Sequence, residues 1–498
     1  MSMAGNVKRN YIYNVVYQII VIVLPLITTP YVSRVLGADN IGIYAYTQSV
    51  ANYFVLVAML GVKNYGNRSI AQIRDDKEQL SKTFVNIFAM QLLMTVAMMV
   101  LYAGYILCFV EENKDIAIIQ TLFVLTGAAD ITWFFFGIEE FKTTVIRNTA
   151  VRVVSLVLIF LFVREADDLP IYTLIMTGST LLGYILLFPF LRRHIRFMWP
   201  QWSEMRIHIA PNLRLFVSVI AVSIFNVMDK IMLGIQSSMT QVGLYENTDK
   251  LMRIPLGVIT AMGTVMMPHM SHALSVGDTK GYKASIERSM IFIMCLACAL
   301  AGGLSGVGQV FAPIFFGEEF IECGTLIAVI SPTILSLAWA NVIRMQYLIP
   351  NKMDREFTIS TFIGAGVNLV VNYLLIPRFG ALGAVIGTVC AEGSLTFYQT
   401  YIVRKSLPIG GYLKATLPFL LMGVAMSVCV HEIGEIGGVS ILTLVLQVLA
   451  GVVLYVGGTL LYLKKSKQPA VCGFAAQVFE MIGSILKKMG RFKCILRK

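Results

Sequence analysis

Long apolar runs separated by short polar stretches fill this chain from end to end. The runs are roughly 17–25 residues long, the length of helix that crosses the hydrocarbon core of a bilayer. Fourteen spans are predicted. The first six are Tyr11–Ser33, Ile41–Val62, Thr83–Val110, Ile116–Phe136, Thr149–Val163 and Ile171–Leu191. A basic linker follows. The rest are Leu213–Gly234, Gly243–Pro268, Ser285–Phe311, Thr325–Tyr347, Ile359–Ile376, Ala381–Val403, Ala415–Val430 and Ile441–Leu463. The pattern is that of an all-α polytopic membrane protein. It divides into a six-helix lobe (1–191), a cytoplasmic amphipathic linker (192–212), a second six-helix lobe (213–403), helices 13 and 14 (404–463) and a basic amphipathic tail (464–498).

Polar residues inside the spans recur at i, i+4, so each set lies on one helix face. Asn10, Asn14 and Gln18 mark span one, Tyr44, Gln48 and Asn52 span two, and Ser223, Asn226 and Lys230 span seven. Glu246, Lys250 and Arg253 mark span eight, Gly364, Asn368 and Asn372 span eleven, and Thr388, Glu392, Thr396 and Gln399 span twelve. Interhelical hydrogen bonding accounts for the amides as well as a functional role does. It accounts less well for the charges, which are expensive inside a membrane.

The densest set lies in Ile224–Arg253, where Asp229, Lys230, Glu246, Asp249, Lys250 and Arg253 fall at or near membrane depth. A charge at the centre of a lipid-facing helix costs ~2.5–3.5 kcal/mol. These groups should therefore face the bundle interior or a water-filled cavity. Lys230, Lys250 and Arg253 outnumber Asp229 and Asp249, and Arg34 lies near another span end. The sign suits an anionic ligand such as a phosphate or pyrophosphate. Arg34, Lys230, Lys250 and Arg253 are the candidate substrate-binding groups, with Arg152, Arg344 and Glu392 weaker ones. Snorkelling to the headgroups is the competing account of Arg34, Arg152 and Arg344. Asp130 in span four is a lone embedded carboxylate; it pairs with a cavity Arg, binds a coupling ion or exchanges a proton. Asp229 and Asp249 are further candidates for coupling or pairing.

Composition agrees with the membrane reading. Of 498 residues 57% are hydrophobic and 14% charged, and mean hydropathy is +0.74; a soluble domain carries about 25% charged residues. The net charge of +12 does not call for nucleic acid, because cytoplasmic loops collect Lys and Arg. The loops on one side hold most of the loop bases, whereas the other side holds Arg34, Lys114, Arg164 and Arg378. Both termini are thus expected in the cytoplasm, and no cleavable signal peptide is evident. The predicted outer loops, such as Glu111–Asp115 and His431–Ser440, are too short to form a catalytic domain. Trp199, Pro200 and Trp202 suit a linker lying at the interface. The tail Gln468–Lys498 has helical apolar spacing and a basic end, which fits either an interfacial helix or an unstructured basic segment.

Several chemistries lack their signatures. There is no Walker loop, His431-Glu-Ile-Gly-Glu435 is not a zincin motif, and His269 and His272 have no third ligand. Cys295 and Cys298 sit within a span and read as core residues. No catalytic residue, metal or cofactor is expected. An internal echo is present: Leu36-Gly37 precedes Ile41-Gly42-Ile43-Tyr44, and Leu233-Gly234 precedes Val242-Gly243-Leu244-Tyr245. Each pair joins a span to the next, so one six-helix unit occurs twice, a common transporter plan.

Pro25–Val50 (PLITTPYVSRVLGADNIGIYAYTQSV), Met228–Gly234 (MDKIMLG), Val242–Tyr245 (VGLY) and Phe379–Gly383 (FGALG) carry a resemblance. The chain resembles the Wzx-like polysaccharide flippases of the multidrug/oligosaccharidyl-lipid/polysaccharide exporter superfamily over nearly its whole length. The resemblance implies two six-helix lobes around a central cavity and two extra helices. It also implies movement of an undecaprenyl-diphosphate-linked oligosaccharide repeat unit from the inner to the outer leaflet of a bacterial cytoplasmic membrane. The partners it implies are that polyprenyl-diphosphate-linked oligosaccharide, membrane lipid, a polysaccharide polymerase and glycosyltransferases. The rivals are a multidrug or cation antiporter of the same fold and a membrane polysaccharide polymerase or ligase.

Overall fold

The structure, a computed structural model, describes residues 3–196, 198–466 and 471–473. Among these, all regular structure is helical. The helices are α1 (Met3–Met59), α2 (Val62–Ile73), α3 (Lys77–Phe109), α4 (Lys114–Ile119), α5 (Thr121–Ala129), α6 (Thr132–Gly137), α7 (Phe141–Phe162), α8 (Leu169–Ile185), α9 (Phe188–Leu191) and α10 (Trp202–Gln236). Then come α11 (Met239–Ser275), α12 (Thr279–Phe316), α13 (Glu322–Ile330), α14 (Thr333–Ile343), α15 (Asp354–Phe379), α16 (Ala381–Val403), α17 (Ile409–Gly437) and α18 (Ile441–Lys465). The predicted basic tail lies outside the described residues, apart from its beginning and 471–473.

Twelve stretches among the described residues are long and apolar enough to cross a membrane. The protein is therefore an all-α, multi-pass membrane protein. These twelve stretches do not confirm the predicted count of fourteen. Predicted spans one and two share the stretch Leu24–Ile73, and span seven lies on α10, which is not among the twelve.

Packing divides the chain into two units: Met1–Asn247 with Asn372–Ala381, and Thr248–Val371 with Leu382–Lys498. The boundaries fall inside α11 and α15 and after the first residue of α16. The linker and α10 thus belong to the first unit.

In the first unit, α1 runs for 57 residues but is broken at Gly37, whose φ is 76° and ψ 174°. Only glycine takes such a conformation without strain, so the break follows from the sequence. The echo of glycines now acquires a physical meaning. A Cβ on Gly42 would lie 1.7 Å from the Met239 carbonyl oxygen, and one on Gly243 would lie 1.9 Å from that of Ala38. The two corresponding segments thus cross backbone against backbone, and only glycine fits at the crossing.

The core of this unit is aromatic. Phe84 stacks on Trp133 at 5.3 Å, beside buried Phe134 and Phe135. Predicted span four, Ile116–Phe136, is not one helix but three, α4, α5 and α6. The second break falls at Asp130, which is extended (φ −76°, ψ 93°). The freed backbone is satisfied from α3: Gln91 donates to the Gly127 and Asp130 carbonyls at 2.6 and 3.0 Å and accepts from Trp133 Nε1. Irregular backbone at membrane depth persists only where protein satisfies it in this way.

The linker is pinned to the same unit. Glu204 pairs with Lys82 at 2.5 Å, and His208 Nδ1 shares a 2.7 Å hydrogen bond with the Tyr65 hydroxyl. Burial holds the His208 imidazole below its usual pKa, with Glu204 opposing. Trp199 and Trp202 stay exposed, as an interfacial segment requires.

In the second unit α12 packs along α17. A Cβ on Gly302 would meet the Gly423 carbonyl at 2.4 Å, and one on Gly306 the Ser427 carbonyl at 2.8 Å. Small residues let spanning helices approach closely where lipid gives no hydrophobic drive. Predicted span ten is likewise interrupted, between α13 and α14 at Ser331–Pro332, and ends in a π turn, Arg344–Leu348.

Candidate functional site

Asp229 and Lys230 are neighbours on α10, and Tyr245 and Glu246 are neighbours near the start of α11. The turn between the helices brings them together within the first unit. Asp229 is buried and accepts hydrogen bonds from the Tyr245 hydroxyl and, at 2.5 Å, from Asn372 Nδ2. Lys230 forms an ion pair with Glu246; the two side chains are 13% and 8% exposed. One residue on, Asn247 donates to the Ser33 hydroxyl at 2.8 Å, next to Arg34. Arg34 itself is exposed.

The other candidates on α11 belong to the second unit. Asp249 and Arg253 pair across one turn at 2.8 Å, with both Arg253 Nε and Nη2 directed to the same carboxylate oxygen. Arg253 is 57% exposed and Asp249 22%. Lys250 is half-buried. Counting Glu246, the stretch holds three acids and three bases, so its local charge is balanced.

Asp130 takes the pairing option, with Lys63 of α2 at 3.1 Å and not with an arginine. Its other oxygen accepts from the backbone and hydroxyl of Thr132, at 3.0 and 2.5 Å, and so starts α6. Arg152 is exposed on α7. Arg344 is half-buried over the Phe357 ring, 5.6 Å from its centroid, and its Nε has no hydrogen-bond partner. Glu392 is buried, with Oε2 likewise without a partner. Both lie in the second unit.

Sequence reasoning did not find Lys63 as the partner of Asp130, nor Tyr245 and Asn372 as the donors to Asp229. Signals existed for two of them. Tyr245 closes the echo motif, and Asn372 belongs to the polar stripe of span eleven. Lys63 reads as an ordinary loop base. Among the described residues no group of three His, Cys, Asp or Glu could hold a metal.

This architecture has known counterparts. A lipid II flippase, MurJ, in an inward-closed conformation superposes with a TM-score of 0.75 at 12% identity, covering 92% of this chain and 99% of that one. An inward-facing multidrug-resistance MATE transporter of the MOP superfamily gives 0.60 at 13% identity, covering 78% and 95%. The chain shares the fold of these two proteins. In sequence, a protein of Escherichia coli K12 named as an O-antigen transporter is 24% identical over 410 residues, 80% of this chain and 97% of its own. The chain belongs to the polysaccharide biosynthesis protein family, whose model matches residues 7–274.

Proposed function

We propose that this protein moves an undecaprenyl-diphosphate-linked oligosaccharide repeat unit from the cytoplasmic to the outer leaflet of a bacterial cytoplasmic membrane. The family match over residues 7–274 carries this reading. Similarity to a protein named for O-antigen transport over four fifths of the chain supports it.

The mechanism we infer is alternating access by two repeated lobes, with the more exposed bases, rather than a net positive charge of the α10–α11 stretch, meeting the substrate. Arg34, Lys250 and Arg253 meet the diphosphate directly. A diphosphate entering there exchanges hydration for charge-assisted hydrogen bonds. Lys230 acts with Glu246, and the acids Asp130, Asp229 and Asp249 hold bases in place or take part in coupling. Arg344 and Glu392 are the weaker contributors. Both termini lie in the cytoplasm. A polymerase and glycosyltransferases act before and after the transport step.

The test is transport in proteoliposomes. Lipid-linked oligosaccharide placed in one leaflet should become accessible to a membrane-impermeant glycosidase on the other side, whereas a cationic dye should not move. Dye movement without oligosaccharide movement would replace this reading with the antiporter. Reporter fusions in Arg192–Asn212 should report cytoplasm and those in Glu111–Asp115 the outside.

A further inference from the structure

A cavity of about 170 Å³ opens at the end of α3 in the first unit, and none of the charged residues discussed above is among its lining residues. Its lining includes Tyr46, Tyr102, Tyr105 and Phe109 together with Glu111 and Glu112. The ring positions on α3 recur at i, i+3 and i+7, so they share one face. Tyr102 and Tyr105 stack with centroids 6.0 Å apart and planes at 24°; Tyr105 and Phe109 follow at 6.2 Å and 17°. Tyr102 is almost fully buried, donates to the Ala117 carbonyl at 3.0 Å and takes the edge of Phe54 at 5.0 Å. The ladder is therefore held in place before any ligand arrives.

The chemistry of the lining selects the ligand. Aromatic faces and carboxylates attract cations together, and neither Lys nor Arg is among the lining residues. The remaining lining is largely apolar, including Ile43, Val50 and Met239. A bare metal ion would find too few oxygen ligands, and the described residues contain no group suited to one. A cation carrying its own apolar surface satisfies both halves. We propose that this cavity binds an alkylammonium group. Because it lies where a spanning helix ends, the group comes either from a phospholipid headgroup or from a free amine. The inference does not depend on the transport reading.

The full chain, purified in detergent, is titrated calorimetrically with choline and with its neutral isostere 3,3-dimethylbutan-1-ol. Choline should bind saturably and at least tenfold more tightly than the alcohol. Glu111→Gln/Glu112→Gln should weaken choline at least tenfold, and Tyr105→Leu several-fold. The two glutamates are exposed, so the double variant should keep the wild-type circular dichroism and melting temperature. Equal binding of choline and the alcohol, absence of saturable choline binding, or unchanged affinity in the folded double variant would each overturn the proposal. Nanodiscs then distinguish the source. Loss of choline binding in phosphatidylcholine discs but not in phosphatidylglycerol discs identifies the lipid headgroup; equal binding in both identifies a free amine.

Discussion

Two ion pairs take their acids from α11, at Glu246 and Asp249, and differ in kind. Lys230–Glu246 joins α10 to α11 and is enclosed, with 13% and 8% of its side chains exposed. Asp249–Arg253 lies along α11 alone, and its arginine is 57% exposed. An enclosed pair is strongly needed once formed, because removing one partner strands a charge away from water. An open pair within one helix contributes little to stability. The contrast predicts a structural role for the first pair, and it leaves the second as the place to test the proposed ligand role.

The largest effect tests the enclosed pair. Glu246→Ala should destabilise the protein by ~3–5 kcal/mol, read as a lowered melting temperature in detergent. The double variant Lys230→Met/Glu246→Leu should recover most of that loss, since an apolar pair of similar volume is tolerated there. Wild-type melting of Glu246→Ala would show that the pair is not enclosed in solution.

Next is the neighbouring carboxylate. Tyr245→Phe removes one donor to the buried Asp229 and should cost about 1.5–3 kcal/mol by the same measurement. A loss as small as that of an exposed hydrogen bond would place water against Asp229.

The open pair should behave in the opposite way. Arg253→Ala should change stability by about 1 kcal/mol at most while clearly lowering export of lipid-linked sugar. Arg253→Lys should keep part of the activity, because the charge survives and the planar fork is lost. A stable Arg253→Ala protein with wild-type export would remove Arg253 from the ligand site.

A smaller, pH-dependent effect comes from the linker. Burial depresses the His208 pKa, so the folded state favours the neutral ring. Its contribution is complete above the unfolded value of about 6.5 and is lost as pH falls through the folded value. His208→Gln should flatten that part of the stability profile. If the wild-type profile lacks this slope, His208 is not buried in solution. Smallest of all, Arg152→Ala should leave both melting temperature and export unchanged; a clear loss of export would argue against the snorkelling account of this base.

Much of the architecture was legible because it depends on local quantities. The membrane class and the positions of the helices follow from run length. The break at Gly37 follows from a residue type whose conformational range is known. The breaks within spans four and ten were less legible. Pro332 marks one, but the break at Asp130 depends on Gln91, on another helix, to satisfy the opened backbone. The charged stretch on α10 and α11, Glu246 included, was visible as unusual, yet the pairing of Glu246 with Lys230 across two helices was not.

By itself, the sequence settled that this protein is a bundle of membrane helices with charges placed where lipid forbids them. Helical period, bilayer thickness and the cost of burying charge act residue by residue, so they can be read in order along the chain. Only the tertiary structure decided which charge meets which. Asp229 is held by Asn372, 143 positions away, and Asp130 by Lys63 on another helix. Such pairings are set by how helices pack, and a side chain's partner is then whatever the neighbouring helix presents at that depth. The same holds for Gly42 and Gly243, whose repetition the sequence displays and whose meeting only the fold reveals.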